Sequence, residues 1–197
     1  MDTTELIKAL AADNRKSILS LAYVWWGSIV MATAIAAAIV FLTLTARPDI
    51  EVAVETPRFL FKLVFAISLA ASAFYLIRML SRPGEDSRRT IVFLSIAPAM
   101  LAVAVILELM LVPPDTWPAR MMGANNLYCL FAIWLIGLAP LTIIVVALRH
   151  GAPTRPVLSG AVAGLLAGGI TATFYVAHCA ADSPLFVAIW YTLLSPH

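Results

Sequence analysis

Charged side chains are scarce in this chain. Its 13 Lys and Arg and 11 Asp and Glu make up only 12% of 197 residues, about half the share of a soluble domain. With 62% of residues hydrophobic, a globule of this size has too little polar surface to cover its core. Net charge is also small, at +2, which gives no electrostatic case for direct nucleic-acid binding. Cysteine is nearly absent: Cys129 and Cys179 stand alone, with no CxxC, which excludes a thioredoxin-type site and leaves one candidate pair. The apolar blocks carry no matched acid and base at mid-membrane and show no inverted repeat, features that a small transporter usually displays. A membrane thiol oxidoreductase, the other alternative, needs a second redox pair or a quinone site, and two cysteines supply neither.

What is present is long apolar runs. Five blocks, about Leu21–Thr45, Phe59–Leu80, Thr90–Val112, Leu127–Leu148 and Val157–Ala177, each reach the ~20 residues that a helix needs to cross a ~30 Å hydrocarbon core. Lipid offers the backbone no partners, so helix is the required conformation. A sixth block, Pro184–Leu194, is short. The expected architecture is an all-α polytopic transmembrane bundle with six helices, the sixth short or truncated. Residues 1–20 form a cytoplasmic amphipathic segment, and residues 21–197 form one membrane domain. The first apolar block is too long for a signal-peptide core of ~7–15 residues, and is read as a retained span. The segments between spans are too small for a catalytic domain, so no enzyme is expected.

Local chemistry marks the ends of the blocks. Thr56-Pro57 and Ser183-Pro184 each place a hydroxyl before a proline at the first helical position, the pattern of an N-cap. Pro98 and Pro140 fall inside the third and fourth spans and predict kinks. Nine Lys and Arg flank the amino-terminal side of the spans and four the other side. That bias predicts a cytoplasmic amino terminus.

Four features are candidates for function or assembly. Gly160, Gly164 and Gly168 share one face of the fifth span, as small residues do where helices pack closely. Glu108 lies near the outer end of the third span, either as an interfacial structural acid or as part of a site. Leu6, Ile7 and Leu10 form a short apolar stripe. It suits either the inner membrane surface or a groove on a cytoplasmic partner.

The cysteines are the fourth. From Cys129 to Leu148 is 19 steps, and from Val157 to Cys179 is 22. At ~1.5 Å per residue, two antiparallel neighbours bring the thiols to one level within roughly 5 Å. A disulfide is then within reach on the periplasmic side. Two unrelated cysteines, or a thiophilic metal site of Cys129, His178, Cys179 and Asp182, remain open beside it.

The stretch HCAADSPLFVAIWY at residues 178–191 resembles the signature of the NrsF family. So do ELIKALAAD at 5–13, ARPD with PRFLFKL at 46–63, and RHGAPTRP at 149–156 followed by a Gly/Ala-rich span. These are polytopic bacterial inner-membrane anti-sigma factors that restrain an extracytoplasmic-function (ECF) sigma factor. The resemblance implies the following for this chain. The amino-terminal segment holds the sigma factor. Cys129 and Cys179 are a periplasm-facing pair that senses oxidative or heavy-metal stress. There is no resident cofactor, and a thiophilic metal ion enters only as inducer. The partners are the sigma factor and the lipid bilayer.

Overall fold

The apolar blocks form helices whose ends follow the local chemistry. The computed structural model describes residues 3–5, 7–8, 21–45, 47–81, 87–122, 126–151, 153, 155–179 and 183–193. The elements are α1 (Leu21–Thr43), α2 (Ile50–Val54), α3 (Pro57–Leu80), α4 (Ser87–Leu111), a 3₁₀ turn (Pro114–Thr116), α5 (Trp117–Met122), α6 (Asn126–Leu148), α7 (Pro156–Tyr175) and α8 (Pro184–Leu193). Among the described residues every regular element is helical. Thr56 caps α3 as expected, with its hydroxyl accepting from the Phe59 N–H at 3.4 Å and Pro57 at the first helical position.

Among the described residues four helices, α1, α3, α6 and α7, are long and apolar enough to cross a membrane. The all-helical membrane-type bundle is as expected, and the short last helix matches α8, with its 10 residues. Helix α4 has 25 residues, and its sequence is apolar from Ile91 onward apart from Ser95 and Glu108. Short α2 and α5 lie in the connections and were not foreseen. Large apolar side chains are widely exposed among the described residues: Leu42 is 86% exposed, Leu111 81% and Met110 79%. A water-facing surface would not carry them in such density, whereas lipid accepts them at no cost.

Helix α7 is the centre of the bundle. It packs on α3, α6 and α1, and α1 also packs on α6. Half of the spanning stretch of α7 is buried within the protein, against 22% for α1 and α6. Small side chains make this position available. Ser159, Ala163 and Ala167 are almost fully covered, alongside Val162 and Leu166. The hydroxyls of Thr171 and Thr173 donate back to the carbonyls of Ala167 and Gly169 at 2.9 and 2.8 Å, so neither enters the apolar contact unpaired.

Within this one chain the glycine face expected to pack does not. A Cβ built on Gly160, Gly164 or Gly168 meets nothing within 4 Å. The close approach is at the next residue. A Cβ on Gly169 would lie 3.0 Å from the backbone N and 3.1 Å from the Cα of Ala70 on α3. Spacing of four defines a face, but a neighbouring residue is turned by about 100° on a helix. Here the turned position faces α3, and the glycine row faces outward.

The remaining helices build outward from α3. Helix α4 packs on α3, and α8 packs on α4 and α5. Phe186 and Val187 of α8 join Phe65 of α3 and Ala97 of α4 in a small buried cluster. Proline lies within α4 at Pro98 and within α6 at Pro140. At the end of the bundle opposite the cysteines, Arg78 stacks over the rings of Trp26 and Phe74 at 5.9 and 5.7 Å.

Candidate functional site

The α7 carboxy-terminus leaves carbonyls without intrahelical partners, and other segments converge to supply them. The backbone N–H of Arg47, after α1, donates to the Ala177 carbonyl at 3.0 Å. The Lys62 ammonium of α3 donates to the Cys179 carbonyl at 3.1 Å. A cation at this place also suits the negative end of the helix dipole. His178 Nδ1 lies 2.6 Å from the Thr45 carbonyl, which makes that nitrogen the protonated donor, and its ring rests on Tyr175. Arg47 in turn holds Asp49 through two contacts, Nε to Oδ1 at 2.8 Å and Nη2 to Oδ2 at 2.7 Å. That hydrogen-bonded guanidinium keeps the Asp49 carboxyl below its ordinary value of 3.8.

This convergence fixes the two thiols. Cys129 comes from the first turn of α6, and Cys179 from the turn after α7. Their sulfurs are 3.2 Å apart, and both residues are buried in an apolar cluster with Val40, Ile136 and Tyr175. The pair reached by counting residues along antiparallel neighbours is therefore brought together. Both cysteines also line a cavity bounded by Lys62, Phe65 and Ala66 of α3, Ile133 of α6, Tyr175 of α7, and Phe186 and Val187 of α8. The lining residues are apolar apart from the two cysteines, Tyr175 and Lys62.

The other residues singled out from sequence fare differently. His178 is next to the pair in sequence, but its Nδ1 is engaged with Thr45. Asp182 lies outside the described residues. Among the described residues no group of three His, Cys, Asp or Glu is placed to hold a metal ion. Leu6 and Leu10 lie outside the described residues, while Ile7 is helical and 61% exposed.

Glu108 has a placement that its sequence context concealed. It is 6% exposed rather than open to water, and its carboxylate gathers three elements. It pairs with Arg120 of α5 at 3.2 Å. It accepts from the Ser183 hydroxyl at 2.8 and 3.0 Å and from the Leu185 backbone N–H at 3.1 Å. Ser183 was expected to cap α8 with its own oxygen. Instead its hydroxyl donates to Glu108, and the carboxylate satisfies the orphan N–H of the first turn, where a negative charge is favoured. Arg120 and Lys62 were missed as site residues. The available signal was that each is a cation on the side of the membrane where cations are few.

The family description that matches residues 10–194 is NrsF, "Negative regulator of sigma F". The chain is 34% identical over 196 residues to the protein named anti-sigma-F factor NrsF of Caulobacter vibrioides (strain NA1000 / CB15N), covering 98% of this chain and 91% of that relative. It is 30% identical over 157 residues to a probable anti-sigma-F factor NrsF of Azospira oryzae (strain ATCC BAA-33 / DSM 13638 / PS), covering 76% of this chain and 70% of the relative. No solved structure gives a significant match. The names of these relatives are regulatory rather than catalytic. An all-helical bundle with four helices of spanning length, and a sequence match along almost its whole length, place this chain in the NrsF family.

Proposed function

We propose that this chain is a multi-pass inner-membrane anti-sigma factor. It holds an ECF sigma factor through its cytoplasmic amino-terminal segment and releases it when the periplasmic Cys129–Cys179 pair reacts. The observation that carries this reading is the meeting of two sulfurs from different helices, 3.2 Å apart, at the end of the central helix. A dithiol in that position gives up two electrons and two protons to a thiol oxidant and closes a disulfide. The sulfurs need to approach by only about 1 Å to reach the ~2.05 Å bond. A thiophilic metal ion bridging the two sulfurs would tie the same helices.

Reaction fixes the ends of α6 and α7 together. Helix α7 is buried along half of its spanning stretch, so it moves as a rod rather than flexing locally. Pro140, inside α6, removes one ladder hydrogen bond and gives that helix a place to bend. Movement then reaches the 149–156 connection at the opposite end of α6 and α7. Turning a two-state element from 1:99 to 99:1 takes roughly 5.5 kcal/mol. A disulfide contributes typically ~2–4 kcal/mol, enough to bias such a switch.

The test is capture. Tagged protein solubilised from unstressed cells should co-purify an ECF sigma factor. Charged substitutions Leu6→Glu and Leu10→Glu together should lose it while the bundle keeps its helical circular dichroism, because apolar anchors dominate helix-in-groove binding. Recovery of no sigma factor by the wild-type protein would remove the proposal. Retained capture by the double variant would move the docking site to the basic connections.

A further inference from the structure

The two cysteines and α8 line one cavity, and Glu108 holds α8. Phe186 and Val187, in the first turn and a half of α8, form the wall of the cavity that the two cysteines line, and both are nearly covered, at 5% and 6% exposed. Helix α8 packs on α4 and α5, at the edge of the bundle rather than around α7. The Glu108 side chain fastens its amino-terminal turn. Glu108 accepts the Leu185 N–H at 3.1 Å and the Ser183 hydroxyl at 2.8 Å, and is itself held by Arg120 at 3.2 Å. Leu185 is the residue immediately before Phe186, so the backbone bond to Glu108 fixes the turn that presents Phe186 and Val187 to the cavity of the thiols.

We propose that Glu108 is a positioning residue that sets how fast Cys129 and Cys179 react, by clamping α8 as a lid over their cavity. This rests on the reading of the pair as the reactive centre. Glu108 touches neither sulfur and acts only through α8. Without its carboxylate the Leu185 N–H and the Ser183 hydroxyl lose their acceptor and Arg120 loses its counter-charge. The first turn of α8 then opens, and Phe186 and Val187 withdraw from the sulfurs. The ligand class is any thiol-reactive species small enough to enter once the lid lifts. The latch tunes sensitivity without changing the chemistry.

The experiment reads thiol chemistry on the purified full chain in nanodiscs, with no sigma factor present. N-ethylmaleimide labelling of each cysteine is timed by mass spectrometry. Glu108→Ala should speed both cysteines by about tenfold or more, the loss of a hydrogen bond to a charged group being of that order. Glu108→Gln keeps an acceptor for Leu185 and should fall between Ala and wild type. Phe186→Ala opens the lid without touching the latch and should also accelerate labelling. The double variant Glu108→Ala/Phe186→Ala should be no faster than the faster single variant, since both open one lid. A reporter thiol from Val157→Cys, exposed at the opposite end, should label at one rate in every background, which separates lid opening from general loosening. If Glu108→Ala does not fold, Glu108→Gln and Ser183→Ala carry the same comparison. Labelling of both cysteines at the wild-type rate in the latch variants would overturn the proposal, as would equal acceleration of the reporter or full additivity with Phe186→Ala. Because sigma capture is not part of this readout, failure here leaves the anti-sigma reading standing, and failure of capture leaves this one standing.

Discussion

Replacing Gly169 with Ala tests the packing that makes α7 a rod. The added Cβ would sit 3.0 Å from the Ala70 backbone N, 3.1 Å from its Cα and 3.2 Å from its Cβ. These atoms belong to backbone and to the shortest side chain that has a Cβ, so none can rotate away. Restoring ordinary contact at about 3.5 Å would require α3 and α7 to part by roughly 0.5 Å along a well-packed seam, and overpacking of this kind costs about 1–3 kcal/mol. Ala gains ~1 kcal/mol over Gly in helix propensity, which leaves a net loss of about 0–2 kcal/mol against wild type and a difference of about 1–3 kcal/mol from an alanine placed on an open glycine. Gly164→Ala is the control. Its Cβ meets nothing, so it should be neutral or slightly stabilising. Unfolding in mixed micelles by SDS titration, followed by tryptophan fluorescence, separates the two. Equal stability of Gly169→Ala and Gly164→Ala, or greater damage from Gly164→Ala, would refute the assigned packing face.

Two further outcomes follow from the same geometry. Asp49 titrates below its ordinary value of 3.8 because of Arg47; the contact is therefore present above that value and is lost as pH falls through the depressed one, and Arg47→Met should return the Asp49 titration, read by NMR, toward 3.8. Reporter fusions should place Asp86 in the cytoplasm and Trp117 on the periplasmic side, with the reverse pattern removing the periplasmic location of the thiols.

The parts of this molecule that could be read from sequence are those set by local rules. Long apolar runs require helices in lipid, Thr56-Pro57 fixes the start of α3, and fixed rise per residue brings Cys129 and Cys179 to one level. Features that depend on which neighbour lies where could not be read this way. The spacing of Gly160, Gly164 and Gly168 describes a surface, yet only the placement of α3 decides that Gly169 is the point of contact. Glu108 reads as a lone acid because Arg120 is 12 residues away and Ser183 is 75 away. Their meeting depends on α5 turning back after Pro113 and on α8 returning to α4. Lys62 is hidden in the same manner, since its partner carbonyl belongs to Cys179, 117 residues on.

The most direct test of the switch is sigma release by the reconstituted complex on treatment with a thiol oxidant. The wild-type protein should release its sigma factor as the Cys129–Cys179 bond forms, followed by mass loss of two hydrogens. Cys129→Ser and Cys179→Ser should each bind the sigma factor normally and retain it under the same treatment, the two variants behaving alike because neither thiol closes a bond alone. Release from either serine variant at the wild-type rate would contradict the account.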